Sequence, residues 1–214
     1  MNGDDLADLR EEYAAVGLSE GDAGKDPVAL FRRWMDDAIG SGMHEPNAMA
    51  LATTFGDEGP PSVRIVLLKG FDERGAIFFT NYDSYKGQSL RDNPFAALVM
   101  LWHPLQRQVR IEGPVERLED DESDAYFHSR PRGSQLGAVA SPQSQDVADR
   151  SELDRLYAEA EAAYPDEVPR PDHWGGYRVR LSDVEFWHGR QSRMHDRLRF
   201  SRTADGWYRQ RLAP

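Results

Sequence analysis

A long series of short apolar strands, most of them joined by brief turns, limits what this chain can fold into. The predicted strands cover 48–55, 62–69, 76–81, 95–102, 107–118, 174–180, 184–188, 198–202 and 207–212. Gly and Asp mark turns such as 71–75, and long helical crossovers between consecutive strands are absent. We therefore expect a mainly β fold with peripheral helices (α+β), built as an antiparallel, Greek-key-like barrel and not as a doubly wound parallel sheet.

Helices are predicted around the strands. Asp26 and Pro27 are typical of an N-cap and a first helical position, and apolar residues follow at helical spacing as far as Gly40. Further helices are expected at 84–93, 120–129 and 151–164. The segment 130–144, rich in Ser, Gln, Gly and Pro, is interpreted as a polar loop.

The domain organisation follows from where periodicity begins. Residues 1–25 are rich in Asp, Glu and Gly and lack sustained periodicity, so they are interpreted as a mobile segment with a short helix at 6–16. Residues 26–214 are expected to form one domain, which is long enough for a substantial core.

Composition argues against several classes of function. The formal net charge is -11, which disfavours nucleic acid as the main partner. The sequence has no cysteine, no signal-peptide pattern and no run of eighteen apolar residues. We therefore expect a cytoplasmic protein without a membrane span. Neither a glycine-rich phosphate loop nor metal-ligand spacing is present, so no metal site is expected.

The C-terminal part of the chain runs against this negative charge. From Phe186 onward there are seven arginines and only two carboxylates. Arg193-Met194-His195-Asp196-Arg197, close to Trp187, brings guanidinium groups and an imidazole near a flat ring. Taken alone, the segment is more typical of a basic loop with a solvated histidine. The local excess of arginine favours a site for a flat anion.

Two segments near the middle of the chain offer phosphate donors, each with a structural alternative. Residues 64–69 form a buried-looking strand with a cation at each end, and the alternative is an ordinary core strand. Ser84-Tyr85-Lys86 opens a helix, where free N–H groups and a lysine suit an anion, and the alternative is simple capping by Ser84.

Two later segments are rich in uncharged donors. Gln108 and Arg110 share one face of a strand, which is either an inward hydrogen-bonding face or a solvated one. Residues 126–134 place a phenol, a guanidinium and a hydroxyl at a helix end and in the following loop, where they suit a phosphate monoester, and the alternative is a charged C-cap. Gln143 and Ser144 lie on the same polar segment, which is better explained by a ligand than by packing.

In this order, the motifs closely resemble the pyridoxine/pyridoxamine 5′-phosphate oxidase family, from about residue 30 to the last residue. A single motif is weak, but so many in one order are specific. The matching segments are Arg64-Ile-Val-Leu-Leu-Lys69, Phe79-Thr80-Asn81, Ser84-Tyr85-Lys86, Asn93-Pro94, Arg107-Gln108-Val109-Arg110, Tyr126-Phe127-His128-Ser129-Arg130-Pro131, Ser134-Gln135, Gln143-Ser144, Trp174-Gly175-Gly176-Tyr177, Glu185-Phe186-Trp187, Arg193-Met194-His195-Asp196-Arg197 and Arg211-Leu212-Ala213-Pro214.

The resemblance implies a split β-barrel homodimer with FMN at the subunit interface. It implies oxidation of pyridoxamine and pyridoxine 5′-phosphate to pyridoxal 5′-phosphate, with O2 as acceptor and H2O2 as product, in pyridoxal phosphate biosynthesis and salvage. The residues implied for FMN are Arg64, Ile65, Val66, Leu67, Leu68, Lys69, Phe79, Thr80, Tyr85, Lys86, Gln108, Gln143, Ser144, Trp187 and Arg197.

The substrate residues implied by the resemblance form three groups. Lys69, Tyr126, Arg130 and Ser134 would hold the phosphate of the substrate. Arg193, Met194 and His195 would lie against its pyridine ring, with Arg193 and His195 as the catalytic pair. Arg10 and Tyr13 would belong to a segment that folds over the substrate.

Three residues depart from the family pattern. Tyr85 stands where the family commonly has arginine, which removes a cation near the FMN phosphate, and Glu11 replaces a basic residue of the lid. Met194 replaces leucine, a change that conserves volume. The alternative functions are a flavin or deazaflavin-dependent reductase on the same barrel and a non-enzymatic pyridoxal phosphate or flavin carrier. The second phosphate-binding set argues against the reductase.

Overall fold

The computed structural model describes residues 17–56 and 59–214. The predicted helix at 6–16 and the lid residues Arg10, Glu11 and Tyr13 lie outside this part of the chain. Within residues 17–56 and 59–214 there are ten strands: β1 (Ala48–Thr54), β2 (Pro61–Leu67), β3 (Gly70–Phe71), β4 (Gly75–Asn81), β5 (Phe95–Trp102), β6 (Arg107–Arg117), β7 (Trp174–Arg180), β8 (Asp183–His188), β9 (Asp196–Thr203) and β10 (Gly206–Leu212).

Six α-helices accompany the strands within the described residues: α1 (Glu20–Ala23), α2 (Pro27–Gly40), α3 (Tyr85–Asp92), α4 (Asp120–Ser129), α5 (Arg132–Ala140) and α6 (Arg150–Ala163). Short 3-10 turns lie at His103–Leu105 and Gln191–Arg193. Most predicted elements are therefore present with small shifts at their ends. None of the described helices is long and apolar enough to cross a membrane.

One compact unit contains α1, α2, residues 99–111 and strands β8–β10. The predicted cap is confirmed, because the Asp26 side chain accepts a hydrogen bond from the Val28 amide at 2.9 Å. Strand β9 pairs antiparallel with both β8 and β10, and Arg197 is opposite Trp187 in the first pairing. Trp34 of α2 packs edge-on against Phe186 in the core of this unit, with ring centroids 5.2 Å apart.

The other compact unit contains residues 48–98 and 112–181. Strand β4 lies between β3 and β7, and all of these pairings are antiparallel. Strand β1 pairs antiparallel with β2 in the same unit. Helices α3 to α6 belong to this unit, and Phe127 and Trp174 are among the buried residues of a hydrophobic cluster around α4, α5 and α6. This unit holds most of the residues that the sequence marks for phosphate.

Two sequence predictions about this second unit were wrong. The segment 130–144 is not wholly a loop, because α5 occupies 132–140 and buries Leu136. The helix that directly follows Pro131 was not predicted, because the segment is rich in Gly and Ser, which are typical of loops. The strand at 64–69 is not buried on both faces: Val63 and Ile65 are 63% and 66% exposed in the single chain. An apolar run does not distinguish a core strand from one that presents an apolar surface.

Candidate functional site

A pocket of about 580 Å³ lies in the second unit and collects residues from β2, β4, α3, α4 and α5. The described residues that line it include three cations, Lys69, Lys86 and Arg130, and no carboxylate. In a chain of net charge -11, such a lining strongly selects anionic ligands. Its full lining is Ile65, Val66, Leu67, Lys69, Phe79, Thr80, Asn81, Lys86, Tyr126, Arg130, Pro131, Ser134, Gly137, Ala138, Ser141, Gln143 and Trp174.

Among the described residues, the hydrogen-bond partners of Lys86 at the pocket are neutral groups. Its Nζ donates hydrogen bonds to Gln143 Oε1 at 2.7 Å, Thr80 Oγ1 at 2.9 Å and Ser84 Oγ at 3.2 Å. Ser84 also caps α3, since its Oγ accepts from the Gly87 amide at 3.3 Å. Burial and the charge of Arg64 lower the pKa of Lys86 to about 8. A bound anion would favour the protonated form of this lysine.

Arg64 lies on β2 and is also anchored by neutral oxygens. Its guanidinium donates to Thr53 Oγ1 and Ser62 Oγ, both at 2.7 Å. Burial lowers the pKa of Arg64, although the guanidinium stays charged at any ordinary pH. This arginine does not line the pocket, but its charge acts on Lys86.

Arg130 follows α4 and lies against an aromatic cluster. Its guanidinium carbon is 4.6 Å from the ring centre of Trp174, and its NH2 donates to the Ser134 carbonyl at 2.7 Å. Its NH1 is buried without a hydrogen-bond partner in the described structure. Burial lowers the pKa of Arg130, which remains cationic. An unsatisfied buried guanidinium nitrogen that borders a pocket is a ready donor for a phosphate oxygen.

Tyr126 and Ser134, predicted to bind the same phosphate, line the pocket together with Arg130 and Lys69. Tyr126 stacks on Phe79 with ring centroids 3.9 Å apart and a 20° angle between the ring planes. The structure therefore brings together all four residues of the predicted substrate-phosphate set. It also brings seven further residues predicted for FMN into the same lining: Ile65, Val66, Leu67, Phe79, Thr80, Lys86 and Gln143.

Several predicted residues of this unit do not line the pocket. Leu68 is buried, and Tyr85 is 43% exposed with its ring centre 6.2 Å from that of Phe55. Ser144 has a positive φ of 70°, which is uncommon for a residue with a side chain and fixes the direction of the chain just after Gln143. Their assignment to FMN stays a prediction.

The predicted ring-binding segment belongs to the first unit. Ser192 and Arg193 both have positive φ, at 55° and 59°, so this turn holds an uncommon backbone conformation. The Arg190 amide donates to His195 Nδ1 at 3.1 Å, and the His195 ring lies 4.6 Å from that of Trp187. Burial and the charge of Arg193 lower the pKa of His195, which favours the neutral imidazole. Met194 is 66% exposed.

The C-terminal arginines are mostly engaged within this unit. Arg190 and Arg211 pair with Asp196, Arg197 donates to Glu185 at 2.7 Å, Arg199 and Arg209 bond to neutral oxygens, and Arg202 lies over Trp207. Arg193 is exposed, and no described residue makes an ion pair or side-chain hydrogen bond with its guanidinium. The charge of Arg193 is therefore available to a ligand. Gln108, another residue that the resemblance implies for FMN, is half-buried on β6.

Sequence reasoning missed six residues of the pocket lining: Asn81, Pro131, Gly137, Ala138, Ser141 and Trp174. Three of these, Asn81, Pro131 and Trp174, stood inside matching motifs without being assigned a role. Gly137, Ala138 and Ser141 were hidden because α5 was interpreted as a loop. A helical reading of 132–140 would have placed Ser134, Gly137 and Ala138 within one or two turns of each other.

Two family models match this chain. The model described as "Pyridoxamine 5'-phosphate oxidase" matches residues 35–163, and the model described as "Pyridoxine 5'-phosphate oxidase C-terminal dimerisation region" matches residues 174–214. The first covers more than half of the sequence.

Curated relatives match over nearly the full length. The pyridoxine/pyridoxamine 5′-phosphate oxidase of Salinibacter ruber is 57% identical and covers 98% of this chain and 99% of its own. The protein of the same name from Synechocystis is 54% identical, with 100% of both chains covered. Both values lie far above those at which a family relationship is in question.

Solved structures are similar as well. PhzG from Burkholderia lata, in complex with tetrahydrophenazine-1-carboxylic acid, has a TM-score of 0.87 at 33% identity and covers 93% of this chain and 98% of its own. A related FMN binding protein from Nostoc punctiforme has a TM-score of 0.68 at 17% identity, covering 86% and 97%, which concerns the fold alone. With the antiparallel pairing of the strands, these neighbours confirm the predicted split-barrel α+β class. The chain belongs to the pyridoxamine 5′-phosphate oxidase family.

Proposed function

We propose that this protein is an FMN-dependent oxidase that converts pyridoxamine 5′-phosphate and pyridoxine 5′-phosphate to pyridoxal 5′-phosphate, with O2 as acceptor and H2O2 as product. The observation that carries this proposal is the identity of 53–57% to oxidases of that name over 98–100% of the chain. The cationic pocket supports it, because cofactor and substrate are both flat phosphate esters.

The lining of the pocket suits two phosphate groups. We propose that Lys86 and Thr80, with Gln143 beside them, serve the FMN phosphate, and that Arg64 supports Lys86 from outside the lining. Lys69, Tyr126, Arg130 and Ser134 would bind the substrate phosphate, using the unsatisfied NH1 of Arg130. The chemistry that bound FMN would supply is the two-electron redox step that couples oxidation of the substrate at C4′ to reduction of O2 to H2O2. The protein itself would contribute by positioning the cofactor and the substrate and by supplying positive charge to their phosphates.

The first unit would supply the residues for the pyridine ring. Arg193, whose guanidinium has no described partner, would orient the ring and stabilise negative charge that develops on it. His195 accepts from the Arg190 amide through Nδ1, so in the neutral form its proton is on Nε2. His195 would then act as a hydrogen-bond donor to polar groups of the substrate. Trp187, Arg197 and Gln108 remain proposed contacts of FMN.

We also propose that the working enzyme is a homodimer in the cytoplasm. The dimer is supported by the match of residues 174–214 to a dimerisation region of the family. The exposed apolar side chains on β2 are compatible with a partner subunit. Sedimentation and cell fractionation test the two statements.

A peroxide-coupled assay tests the proposed activity. Purified protein with FMN is mixed with pyridoxamine or pyridoxine 5′-phosphate under air, and H2O2 and the aldehyde product are measured together. We expect equal amounts of both products and a yellow protein. Protein that binds FMN but yields no peroxide with either substrate would contradict the oxidase and favour a reductase or a carrier.

A further inference from the structure

We propose that Trp174 is a positioning residue that holds Arg130 in place to grip the phosphate of the substrate. Trp174 is the first residue of β7, lines the pocket and is only 6% exposed. It has no reactive group, so any role in the reaction runs through its neighbours. This role of Trp174 rests on the proposed oxidase function, which itself assigns no role to Trp174.

The contact between Trp174 and Arg130 compensates a buried charge. The guanidinium carbon lies 4.6 Å from the Trp174 ring centre and 5.7 Å from that of Phe127. Within the part of the chain that the structure describes, the Arg130 guanidinium has no carboxylate partner, and its hydrogen bond goes to the Ser134 carbonyl. The aromatic faces therefore stabilise the cation without competing with an incoming phosphate. A carboxylate in the place of these rings would compete with the phosphate for the Arg130 guanidinium.

Trp174 also orders the tyrosine of the same phosphate set. The rings of Trp174, Phe79 and Tyr126 are nearly parallel: their planes differ by 13° for Trp174 and Phe79, 20° for Phe79 and Tyr126, and 7° for Trp174 and Tyr126. The ring of Tyr126 is thereby fixed, and with it the direction of its hydroxyl. One indole thus orients two phosphate donors.

The backbone around Trp174 is itself firmly held. Arg170 donates to the Trp174 carbonyl at 2.8 Å and pairs with Asp120 at 2.7 Å and also with Asp124. The Trp174 amide donates to the Pro171 carbonyl at 2.9 Å. Phe127, which is fully buried, packs edge-on against the indole with centroids 5.2 Å apart. The indole is therefore a rigid support for the guanidinium.

The test is a double-mutant cycle on KM and kcat. Trp174→Leu should raise KM for pyridoxamine 5′-phosphate about tenfold or more, the equivalent of a desolvated cation–π contact, with little change in kcat. Trp174→Phe should restore most of the affinity. In an Arg130→Ala background, Trp174→Leu should raise KM by much less than in the wild type, because the contact with Arg130 is already absent and only the ordering of Tyr126 is lost.

The matched control is Trp207→Leu, which removes the contact between the half-buried Trp207 ring and the exposed Arg202 of the first unit, 4.9 Å apart, and should leave KM unchanged. An unchanged KM in Trp174→Leu would overturn the proposal, as would full additivity with Arg130→Ala. If Trp174→Leu does not fold, the same cycle with Trp174→Met decides, because methionine fills part of the space but has no aromatic face for the guanidinium. Calorimetric titration with pyridoxal 5′-phosphate and with pyridoxal, which lacks the phosphate, repeats the test without turnover. If the wild-type protein produces no peroxide, the proposed function is wrong. The titration still tests whether Trp174 positions Arg130 to bind the phosphate, because it does not depend on turnover.

Discussion

At the scale of single residues, Lys86 and Arg130 keep positive charge in buried or half-buried positions without a carboxylate partner among the described residues. Removing a cation from water costs several kcal/mol unless other groups compensate. Here hydroxyl and amide oxygens surround Lys86, and aromatic faces flank Arg130. Burial lowers both pKa values, and because the compensation is only partial, each cation would be stabilised further by a bound anion.

Lys86 therefore predicts a pH dependence of FMN binding. Its pKa in the free protein is about 8, and a bound phosphate would raise that pKa because it favours the charged form. The dissociation constant of FMN should then increase above pH 8, by up to about tenfold per pH unit. Titration of FMN fluorescence between about pH 7 and 9.5 measures this slope.

Lys86→Arg is the control for that experiment, because arginine stays charged over the whole range. We expect its dissociation constant to vary little with pH, even if binding is weaker because the planar guanidinium fits the site poorly. A slope equal to that of the wild type would show that another group titrates and that Lys86 does not contact the phosphate.

Arg193 carries a second prediction at this scale. Its exposed guanidinium has no described partner, so Arg193→Ala should leave folding and FMN content intact. Loss of a charged hydrogen bond to the substrate should lower kcat/KM about 10- to 100-fold. Arg202→Ala, which removes another exposed arginine of the same region, should keep kcat/KM near the wild-type value. Wild-type kcat/KM in Arg193→Ala would exclude the role proposed for this arginine.

At the scale of elements, what the sequence predicts depends on whether its signal is local. Strands β5 and β7 and helix α4 were predicted with the observed bounds, because periodicity, Gly and Pro are local signals. Helix α5 was missed, since Gly133, Ser134 and Gly137 weigh against a helix that packing of Leu136 nevertheless stabilises. The exposure of Val63 and Ile65 on β2 depends on tertiary structure, which no local pattern encodes.

The candidate site likewise has features that the sequence predicts and features that appear only in the folded structure. Motif resemblance identified Lys69, Tyr126, Arg130 and Ser134, and the structure brings these four to one pocket. The support given by Trp174 to Arg130 was not predictable, because it joins residues more than forty positions apart through ring geometry. Chemical groups can be found from sequence motifs, whereas the contacts that orient them emerge only with the fold.

Gly176 provides a prediction about β7. It is opposite Phe79 in the register of β4 and β7, and an added Cβ would lie 2.4 Å from Leu118 Cδ1 and 2.8 Å from Phe79 Cε1. Gly176→Ala should therefore destabilise the protein by about 1–3 kcal/mol and displace the Phe79 ring from its stack. Denaturant unfolding measures the loss, and KM for the phosphorylated substrate should rise with it.

The matched control is Gly40→Ala at the end of α2, where an added Cβ meets nothing within 4 Å. This change should be neutral or stabilise by up to about 1 kcal/mol, since alanine favours helix. Equal stability of the two variants would mean that β7 accommodates a side chain at 176 by moving, and that the ring stack does not depend on this glycine.

At the scale of the whole molecule, charges near the two chain ends are joined within the first unit. Arg211 pairs with Asp196 at 2.5 Å and with Glu20 at 2.7 Å, and it donates to the Leu18 carbonyl at 3.0 Å. The Leu18 amide in turn donates to the Asp196 carboxylate at 3.0 Å. These contacts connect positions up to 193 residues apart and flank the turn that carries Arg193 and His195. The arginine-rich end is thus mainly structural.

This network predicts how stability responds to acid. The hydrogen bond from Arg211 lowers the pKa of Glu20 to about 2. Burial of Asp196 alone would raise its pKa, but bonds from Leu18, Arg211 and Arg190 lower it. Carboxylates with depressed pKa values stabilise the folded state above their unfolded pKa, near 4, and lose that contribution as the pH falls through the folded value. Arg211→Gln should therefore lower the free energy of unfolding at neutral pH, and the difference from wild type should shrink below about pH 4.

Urea unfolding at a series of pH values measures that difference. Arg155→Gln is the control, because Arg155 and Glu159 form an exposed pair on one helix at 2.6 Å, where we expect a loss below about 0.5 kcal/mol. A loss in Arg211→Gln that stays constant down to pH 3 would mean that this residue stabilises the unit by packing of its stem and not by charge. A loss that disappears with acid would establish ion pairing as the means by which the segment around Leu18 and Glu20 is held beside Asp196.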